Sequence, residues 1–333
     1  MYYKESKKIL KEIKKAKKIF IACHKGPDGD AIGSSASLFE VIKMLGKRAD
    51  LYCEDAIPEN YTFIPNANRF SQIDYETFDF LKYDLALIVD TSGLYMLSHL
   101  PEVVEIPIKT IVLDHHKTND NFGELNLVDL RVSSTCEIIY KLFEDWNLKI
   151  SKDLATSLLS GIISDTDYFK QSSTSIDTFK TGYELLKVGA DKEKIFLNFY
   201  KNIDLNSLKV QGLILINMKV DTKHGFVWSA LDSEHFSRYF DKLNEMRLSK
   251  NLFGSCVEGT DFGIVMVEES DGLSVTLKSR IDFDTLPISK ELGGGGHPFA
   301  SGAKIKNLPY KKAVAKVLKV ARKHAKKYAE KNL

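Results

Sequence analysis

Three apolar runs, each ending on an acidic residue or running into an acidic, histidine-bearing turn, constrain this chain more than any other feature. KKIFIAC (17–23), YDLALIVD (83–90) and IKTIVLD (108–114) have the continuous apolar character of strands buried on both faces. The first runs into HKGPDGD (24–30), the second ends on Asp90, and the third ends on Asp114 and is followed by His115 and His116. A further strand pattern lies around 50–54, and helical patterns fill 31–45, 134–146, 151–164 and 176–188. This alternation, sustained to about residue 190, predicts an α/β domain: a mainly parallel sheet with helices on both faces. In such sheets ligands bind beyond the carboxyl ends of the strands, which is where these Asp and His residues fall.

The remaining sequence divides in two. Residues 191–220 read as one or two helices with few turn signals, a helical linker between a first domain at 1–190 and a smaller α/β domain at 221–333. In the latter, HGFVWSALD (224–232), DFGIVMVEE (261–269) and LSVTLKSR (273–280) alternate like strands, with a helical stretch near 233–248. LGGGGHPFASG (292–302) and a final helix complete it. A length of 333 residues is enough for two separate cores.

Composition narrows the function classes. With 44% apolar and 28% charged residues the chain is neither disordered nor fibrous. Its longest apolar runs are too short to span a bilayer, and the basic N-terminal segment runs straight into a strand, as a first helix does and a cleaved address does not. The cysteines (Cys23, Cys53, Cys136, Cys256) form no CxxC pair, which disfavours a zinc ribbon or disulfide framework and fits a reducing cytoplasm. The net charge of +2 sets up no global field for nucleic acid. Residues 311–331 carry nine Lys or Arg against one Glu, but Val314, Leu318, Ala321, Ala325 and Tyr328 form one apolar stripe. That pattern reads as a packed helix with a solvated basic face.

The chemistry concentrates in four short segments. HKGPDGD offers His24, Asp28 and Asp30 on one loop, where alternate side chains can splay toward two neighbouring ions. Asp90 is a lone carboxylate at a strand end, suited to bridge those ions, and His115 and Asp165 would complete the set of ligands around the second ion. Imidazole nitrogen and carboxylate oxygen without thiolate suit Mn²⁺, with Mg²⁺, Co²⁺ or Fe²⁺ as alternatives. Two such ions about 3.5–4 Å apart clamp a phosphoryl group and acidify a water. A strand-end Asp or a His pair is ordinarily structural; four such clusters at separate element ends are not.

HKGPDGDAIGSS, VDTSG, LDHHKTN and GIISDTDYF resemble the four motifs of the DHH phosphoesterase superfamily, and GGGGHPFASGAKI resembles the glycine-rich signature of its associated C-terminal domain. The likeness runs from about residue 15 to 305 and is nearest to enzymes that degrade very short RNA and remove the 3′-phosphate of adenosine 3′,5′-bisphosphate (pAp). It implies that His24 and Asp28 hold one ion, that Asp30, His115 and Asp165 hold the other, and that Asp90 bridges. It further implies that Asp114 orients ligand histidines and that His116 contacts the phosphate and acts as general acid. Lys278, Ser279 and Arg280, with Gly294, Gly295, Gly296 and His297, would bind substrate. Here Lys278 and Ser301 replace the Arg and Ala usual in relatives, and the stretch after Asp90 lacks a common Arg. The expected partners are short RNA or mononucleotides, with no membrane, and a homodimer is allowed. Hydrolysis of cyclic dinucleotides or of linear pGpG or pApA is the principal rival reading. A single-strand DNA exonuclease, a type II pyrophosphatase and a non-catalytic nucleotide-binding regulator stand further off. Tyr168, Phe169 and Phe299 read as core residues and not as base-stacking platforms.

Overall fold

The computed structural model describes residues 1–236 and 257–331. The chain divides into two units, Met1–Asn202 and Ile203–Leu333.

In the first unit, helix α1 (Ser6–Lys15) precedes six parallel strands: β1 (Lys18–Ala22), β2 (Arg48–Cys53), β3 (Phe70–Gln72), β4 (Leu85–Val89), β5 (Thr110–Asp114) and β6 (Leu125–Val128). Their spatial order is β3-β2-β1-β4-β5-β6. The chain winds from β1 outward to β3, then crosses back to β4 on the other side of β1, so the order reverses between β1 and β4. That reversal opens a crevice beyond the strand ends of the doubly wound sheet. Helix α2 (Gly29–Met44) joins β1 to β2, and α3 (Thr135–Asp145), α4 (Lys152–Asp165) and α5 (Ile176–Val188) follow β6. Each starts on a side chain that accepts a backbone N–H: Asp28, Ser134, Ser151 and Ser175.

Alternation along the strands supplies two cores. Ile19, Ile21, Leu85, Leu87, Ile111 and Leu113 pack with residues from α1 to α5. Phe20, Ala22, Ala86, Ile88 and Val112 pack with Ile73, Tyr75, Phe80, Tyr83, Leu97 and Val104. Helices were expected on both faces; this second face is instead covered by irregular chain. The β3–β4 and β4–β5 connections contain only 3₁₀ turns, and aromatic rings supply the apolar area. Phe20 stacks on Tyr52 at 5.1 Å and meets Phe80 edge-on at 5.3 Å. Burying each such ring contributes roughly 1.5–3 kcal/mol.

After α5 come a short helix α6 (Lys192–Phe196) and a π-helical turn, Leu197–Lys201, both in the first unit; α7 (Leu205–Ile216) opens the second. The second unit is a mixed sheet of β7 (Lys219–Asp221), β8 (Phe226–Leu231), β9 (Phe262–Glu269), β10 (Gly272–Ser279), β11 (Gly295–His297) and β12 (Ala300–Ile305). The order is β11-β12-β10-β9-β8-β7, with only the β8–β9 pair parallel. The helix expected near 233–248 begins as Ser233–Phe236; its remainder lies outside the described residues, as does Cys256. The last helix, Tyr310–Lys331, buries Ala313, Val317, Ala321 and Ala325 against Phe262, Phe283, Ile288 and Leu292, while Val314 and Tyr328 are partly buried. Cys23, Cys53 and Cys136 are buried free thiols. No described helix is long and apolar enough to cross a membrane.

Candidate metal centre

The order reversal between β1 and β4 gathers the acidic and histidine residues. His24 lies two residues past β1, Asp28 caps α2, and Asp30 sits in its first turn. Asp90 follows β4, Asp114 ends β5 with His115 and His116 next, and Asp165 closes α4.

Asp90 holds a left-handed backbone (φ +51°), which costs a non-glycine residue roughly 1 kcal/mol or more. Its N–H donates to Leu113 O at 3.0 Å and its carboxylate accepts from Thr135 Oγ1 at 3.1 Å, so the flanking structure fixes it from both sides. Asp30 is buried, and both of its oxygens accept backbone N–H groups from the first turn of α3: Thr135 N at 2.6 Å and Cys136 N at 2.9 Å. A helix N-terminus leaves such donors unpaired and favours negative charge. Gly161 of α4 makes room for that carboxylate, because a Cβ there would lie 2.6 Å from Asp30 Oδ1.

The side chains then meet in three overlapping groups, within each of which the ligand atoms lie within 4.8 Å of one another: His24, Asp28 and Asp90; Asp30, His115 and Asp165; and Asp90, His115 and His116. Asp90 stands 3.5 Å from His24 Nε2 on one side and 3.5 Å from His115 Nε2 on the other. His115 Nε2 is also 3.1 Å from Asp165 Oδ2. It is nonetheless buried without a hydrogen-bond partner. A buried ring nitrogen aimed at carboxylates with no hydrogen bond is poor as a protein contact and good as a metal ligand. His24 Nδ1 pairs with Lys25 O at 2.8 Å, which turns Nε2 toward Asp90.

Charge balance points the same way. Burial, followed by neighbouring carboxylates (Asp90 and Asp165 for Asp30; Asp28 and Asp90 for Asp165), pushes both Asp30 and Asp165 up. Burial opposes the charge on Asp90 too, but His24, His116 and His115 outweigh it and hold its carboxyl well below the usual range. Burial works against charge on His24 as well, yet Asp90 and Asp28 raise it to about 10. Without a cation nearby, burial and mutual repulsion therefore disfavour the ionised forms of Asp30 and Asp165. The donor set, nitrogen and carboxylate oxygen in a buried acidic cluster, suits divalent metal ions.

Asp114 is fully buried; its Oδ1 meets His116 Nδ1 at 2.8 Å and its Oδ2 accepts from Asn119 Nδ2 at 2.6 Å. The resemblance implied that Asp114 orients ligand histidines. Its ring partner is His116, two residues on, while His24 takes its orientation from a backbone carbonyl. Burial pushes His116 down, but Asp114 and Asp90 prevail and raise it. Thr135, Asn119 and Tyr61 were not singled out from sequence. Tyr61 reaches the side chains of Asn60 and Ser164, and burial together with the charge of Asp28 pushes its phenol up to about 12. Ser134 and Glu137 spell a helix start, the one signal that could have flagged Thr135 as part of an anion-holding turn.

In the second unit, Lys278 and Ser279 end β10 and Arg280 follows, its Nη1 donating to Thr260 O at 3.4 Å. Ser279 Oγ is buried without a hydrogen-bond partner. Gly295, Gly296 and His297 form β11, paired in backbone register with β12. Gly294 and Gly296 are pressed against β12: a Cβ on Gly296 (φ +128°) would lie 2.7 Å from Ala300 O, whereas one on Gly295 would meet nothing. Part of the glycine run thus serves strand packing. Ser301 is buried, and its hydroxyl is 2.7 Å from Thr285 Oγ1, a pairing Ala could not make. Tyr168 and Phe169 pack on the core as expected, but Phe299 is exposed.

Comparison with known proteins gives two domain matches: the DHH family, N-terminal domain, over residues 18–162, and the DHHA1 domain over residues 257–328. The bifunctional oligoribonuclease and PAP phosphatase NrnA of Thermus thermophilus is 28% identical over 326 residues, covering 96% of this chain and 94% of that protein. NrnA of Bacillus subtilis is 25% identical over 290 residues, covering 86% and 89%. The crystal structure of an exopolyphosphatase-related protein from Bacteroides fragilis shares the fold, with a TM-score of 0.88 at 24% identity over 97% of this chain and 96% of that one.

Proposed function

We propose that this chain, which belongs to the DHH family, is a two-metal phosphohydrolase acting as an exoribonuclease on very short RNA and as a 3′-phosphatase on pAp. The observation that carries the proposal is the position of Asp90, grouped with His24 and Asp28 on one side and, on the other, with His115, which also groups with Asp30 and Asp165. The NrnA relatives, named for both activities, match over most of their length and support the substrate class.

In this reading His24 and Asp28 hold one divalent ion and Asp30, His115 and Asp165 the other, with Asp90 common to both. Mn²⁺ suits the donors best. The bound ions supply Lewis acidity toward the phosphoryl group and an acidified water. Asp114 fixes the ring of His116, whose raised affinity for a proton equips it to hold the phosphate and to protonate the leaving oxygen. Lys278, Ser279, Arg280, Gly294, Gly295, Gly296 and His297 bind the rest of the nucleotide, Lys278 as a point charge where an Arg would form a fork. The enzyme works in the cytoplasm. A homodimer is part of the proposal, because Ile176, Phe179, Tyr183 and Leu186 form an exposed apolar stripe along α5.

The test is to strip the protein with chelator, reload it with Mn²⁺, and assay two- to five-residue RNA, pAp, pGpG, cyclic-di-AMP, long single-stranded DNA and pyrophosphate. Turnover of short RNA and pAp, restored by Mn²⁺ and lost in Asp90→Ala, is expected. Preference for cyclic-di-AMP or pGpG would favour the cyclic-dinucleotide reading. Hydrolysis of pyrophosphate alone, or full activity in Asp90→Ala, would overturn the proposal.

A further inference from the structure

The π-helical turn Leu197–Lys201 touches both segments that carry the candidate ligands. π-Helical turns are rare and recur at functional sites. On one side, Phe199 presses on the His24–Asp30 loop: a Cβ on Gly29 would lie 3.3 Å from Phe199 Cζ and 2.7 Å from Ser164 Cβ. Gly29 is thus held between the Phe199 ring and the residue preceding Asp165. Phe199 is itself gripped edge-on by Tyr61 at 5.5 Å and Phe63 at 5.4 Å. On the other side, Tyr200 OH donates to Asp167 Oδ1 at 2.8 Å, and Tyr168 lies against both Phe196 and Tyr200.

Asp167, Tyr168 and Phe169 are three successive non-glycine residues in the left-handed region, with φ of +42°, +62° and +63°. Single residues visit that region; consecutive ones are strained and persist only where neighbours impose them. The constraint falls directly after Asp165; the partners of Asp167 and Tyr168 come from the segment 196–200, while Phe169 stacks on Phe179 of α5 at 5.1 Å.

We propose that the turn Leu197–Lys201 is a clasp that sets the spacing between the carboxylates of Asp28 and Asp30 and that of Asp165, with Phe199 and Tyr200 as positioning residues. The inference rests on the two-metal reading of the site. Neither residue contacts an ion or substrate in this account. Phe199 fixes the height of the Gly29 turn over Ser164, and Tyr200 holds the strained turn that follows Asp165. Loosening either lets the two ligand segments separate by tenths of an ångström, a change felt first as weaker ion binding.

The test compares wild type with Phe199→Ala, Phe199→Leu and Tyr200→Phe. Mn²⁺ binding is measured by calorimetry on chelator-stripped protein, thermal melting in the metal-free state, and kcat and KM on pAp. Phe199→Ala is expected to weaken binding of the second Mn²⁺ about 10–100-fold and to lower kcat in parallel, with KM changed less than about twofold. Phe199→Leu, which restores most of the volume against Gly29, should recover binding to within about threefold of wild type. Tyr200→Phe removes one hydroxyl; it should weaken Mn²⁺ binding severalfold and leave metal-free melting unchanged, so it decides the matter if Phe199→Ala fails to fold. Wild-type Mn²⁺ affinity and kcat in both Phe199→Ala and Tyr200→Phe would overturn the clasp, as would an equal loss in Phe199→Leu and Phe199→Ala. Wild type binding no Mn²⁺ would overturn the two-metal reading and the clasp with it. Two ions bound equally well by wild type and variants would overturn the clasp alone.

Discussion

Asp90 and Thr135 are joined by a hydrogen bond of 3.1 Å from the threonine hydroxyl to the carboxylate, linking the end of β4 to the start of α3. The same first turn of α3 holds Asp30 through two backbone N–H groups. The carboxylate proposed to bridge and one proposed for the second ion are therefore aligned by a single helix start.

Thr135→Val removes the hydroxyl while keeping a similar shape. With Asp90 no longer steered, Mn²⁺ affinity and kcat on pAp should each fall about 10–100-fold. Calorimetric titration alongside initial-rate measurements checks this, and unchanged values would mean that the backbone alone aims Asp90.

Asp114→Asn tests the second proton-positioning pair. An amide can still accept from Asn119 but is no longer an anion beside His116, so the ring loses its preference for the charged form. The expected loss in kcat is about 10–100-fold, with two Mn²⁺ still bound per chain. Loss of an ion in this variant would show instead that Asp114 acts through the ligands.

Gly161→Ala would bring a methyl group to 2.6 Å from Asp30 Oδ1. Overpacking a close-packed interior at one position costs typically about 1–3 kcal/mol. Urea unfolding of the metal-free protein should show that loss, and Mn²⁺ binding should weaken further because the carboxylate is displaced. A variant as stable as wild type would mean that α4 shifts to accommodate the methyl group.

The N-terminal segment offers a stability test independent of the metals. Asp129 accepts from Tyr3 OH at 3.1 Å and from Arg131 Nε at 2.8 Å. Burial opposes its charge, but Arg131 and Tyr3 outweigh burial and hold its carboxyl below the usual range. Such a group stabilises the folded chain above its unfolded pKa of about 4, and that contribution is lost as pH falls through the lower folded value. Because Arg131 is largely exposed, Asp129→Asn should cost only about 1 kcal/mol at pH 7. The gap in urea midpoints should close as the pH is lowered below about 4. A gap that is constant across this range would rule out the charge as its source.

The exposed stripe on α5 predicts self-association. Ile176→Asp, at the most exposed position of the stripe, should reduce the mass measured by light scattering from that of two chains to that of one, without lowering the melting temperature. A single chain in the wild type would remove the homodimer from the proposal.

Much of this architecture was legible because apolar runs and acidic stops coincide. The strands at 17–23, 83–90 and 108–114 are continuous apolar stretches, and buried parallel strands read that way whatever covers them. The covering itself was not legible: Phe78 and Phe80 pack from irregular chain onto Phe20 of β1 and Tyr52 of β2, and no periodicity announces a loop that packs like a helix. Strands β3 and β6 are three and four residues long, too short to form a pattern. At the site, His24, Asp28, Asp30, Asp90, His115 and Asp165 could be picked out as candidates because each lies at or within a few residues of an element's end. Thr135, Asn119 and Phe199 could not, since a hydroxyl, an amide or a ring acquires such a role only from what folding puts beside it. The hydrogen bond from His116 Nδ1 to Asp114, and the pairing of Ser301 with Thr285, are decided by geometry alone.

Asp30 is fastened by two peptide N–H groups, and a carboxylate so fastened could not swivel to follow the ion proposed for it. A larger cation cannot draw the oxygen outward, nor a smaller one inward, without parting it from α3. In the proposed reading the first turn of that helix would act as a gauge of ionic radius, set by backbone donors and not by a neighbouring side chain. Exchange among metals of similar charge would register here as strain in a helix start, well before it changed the list of ligands.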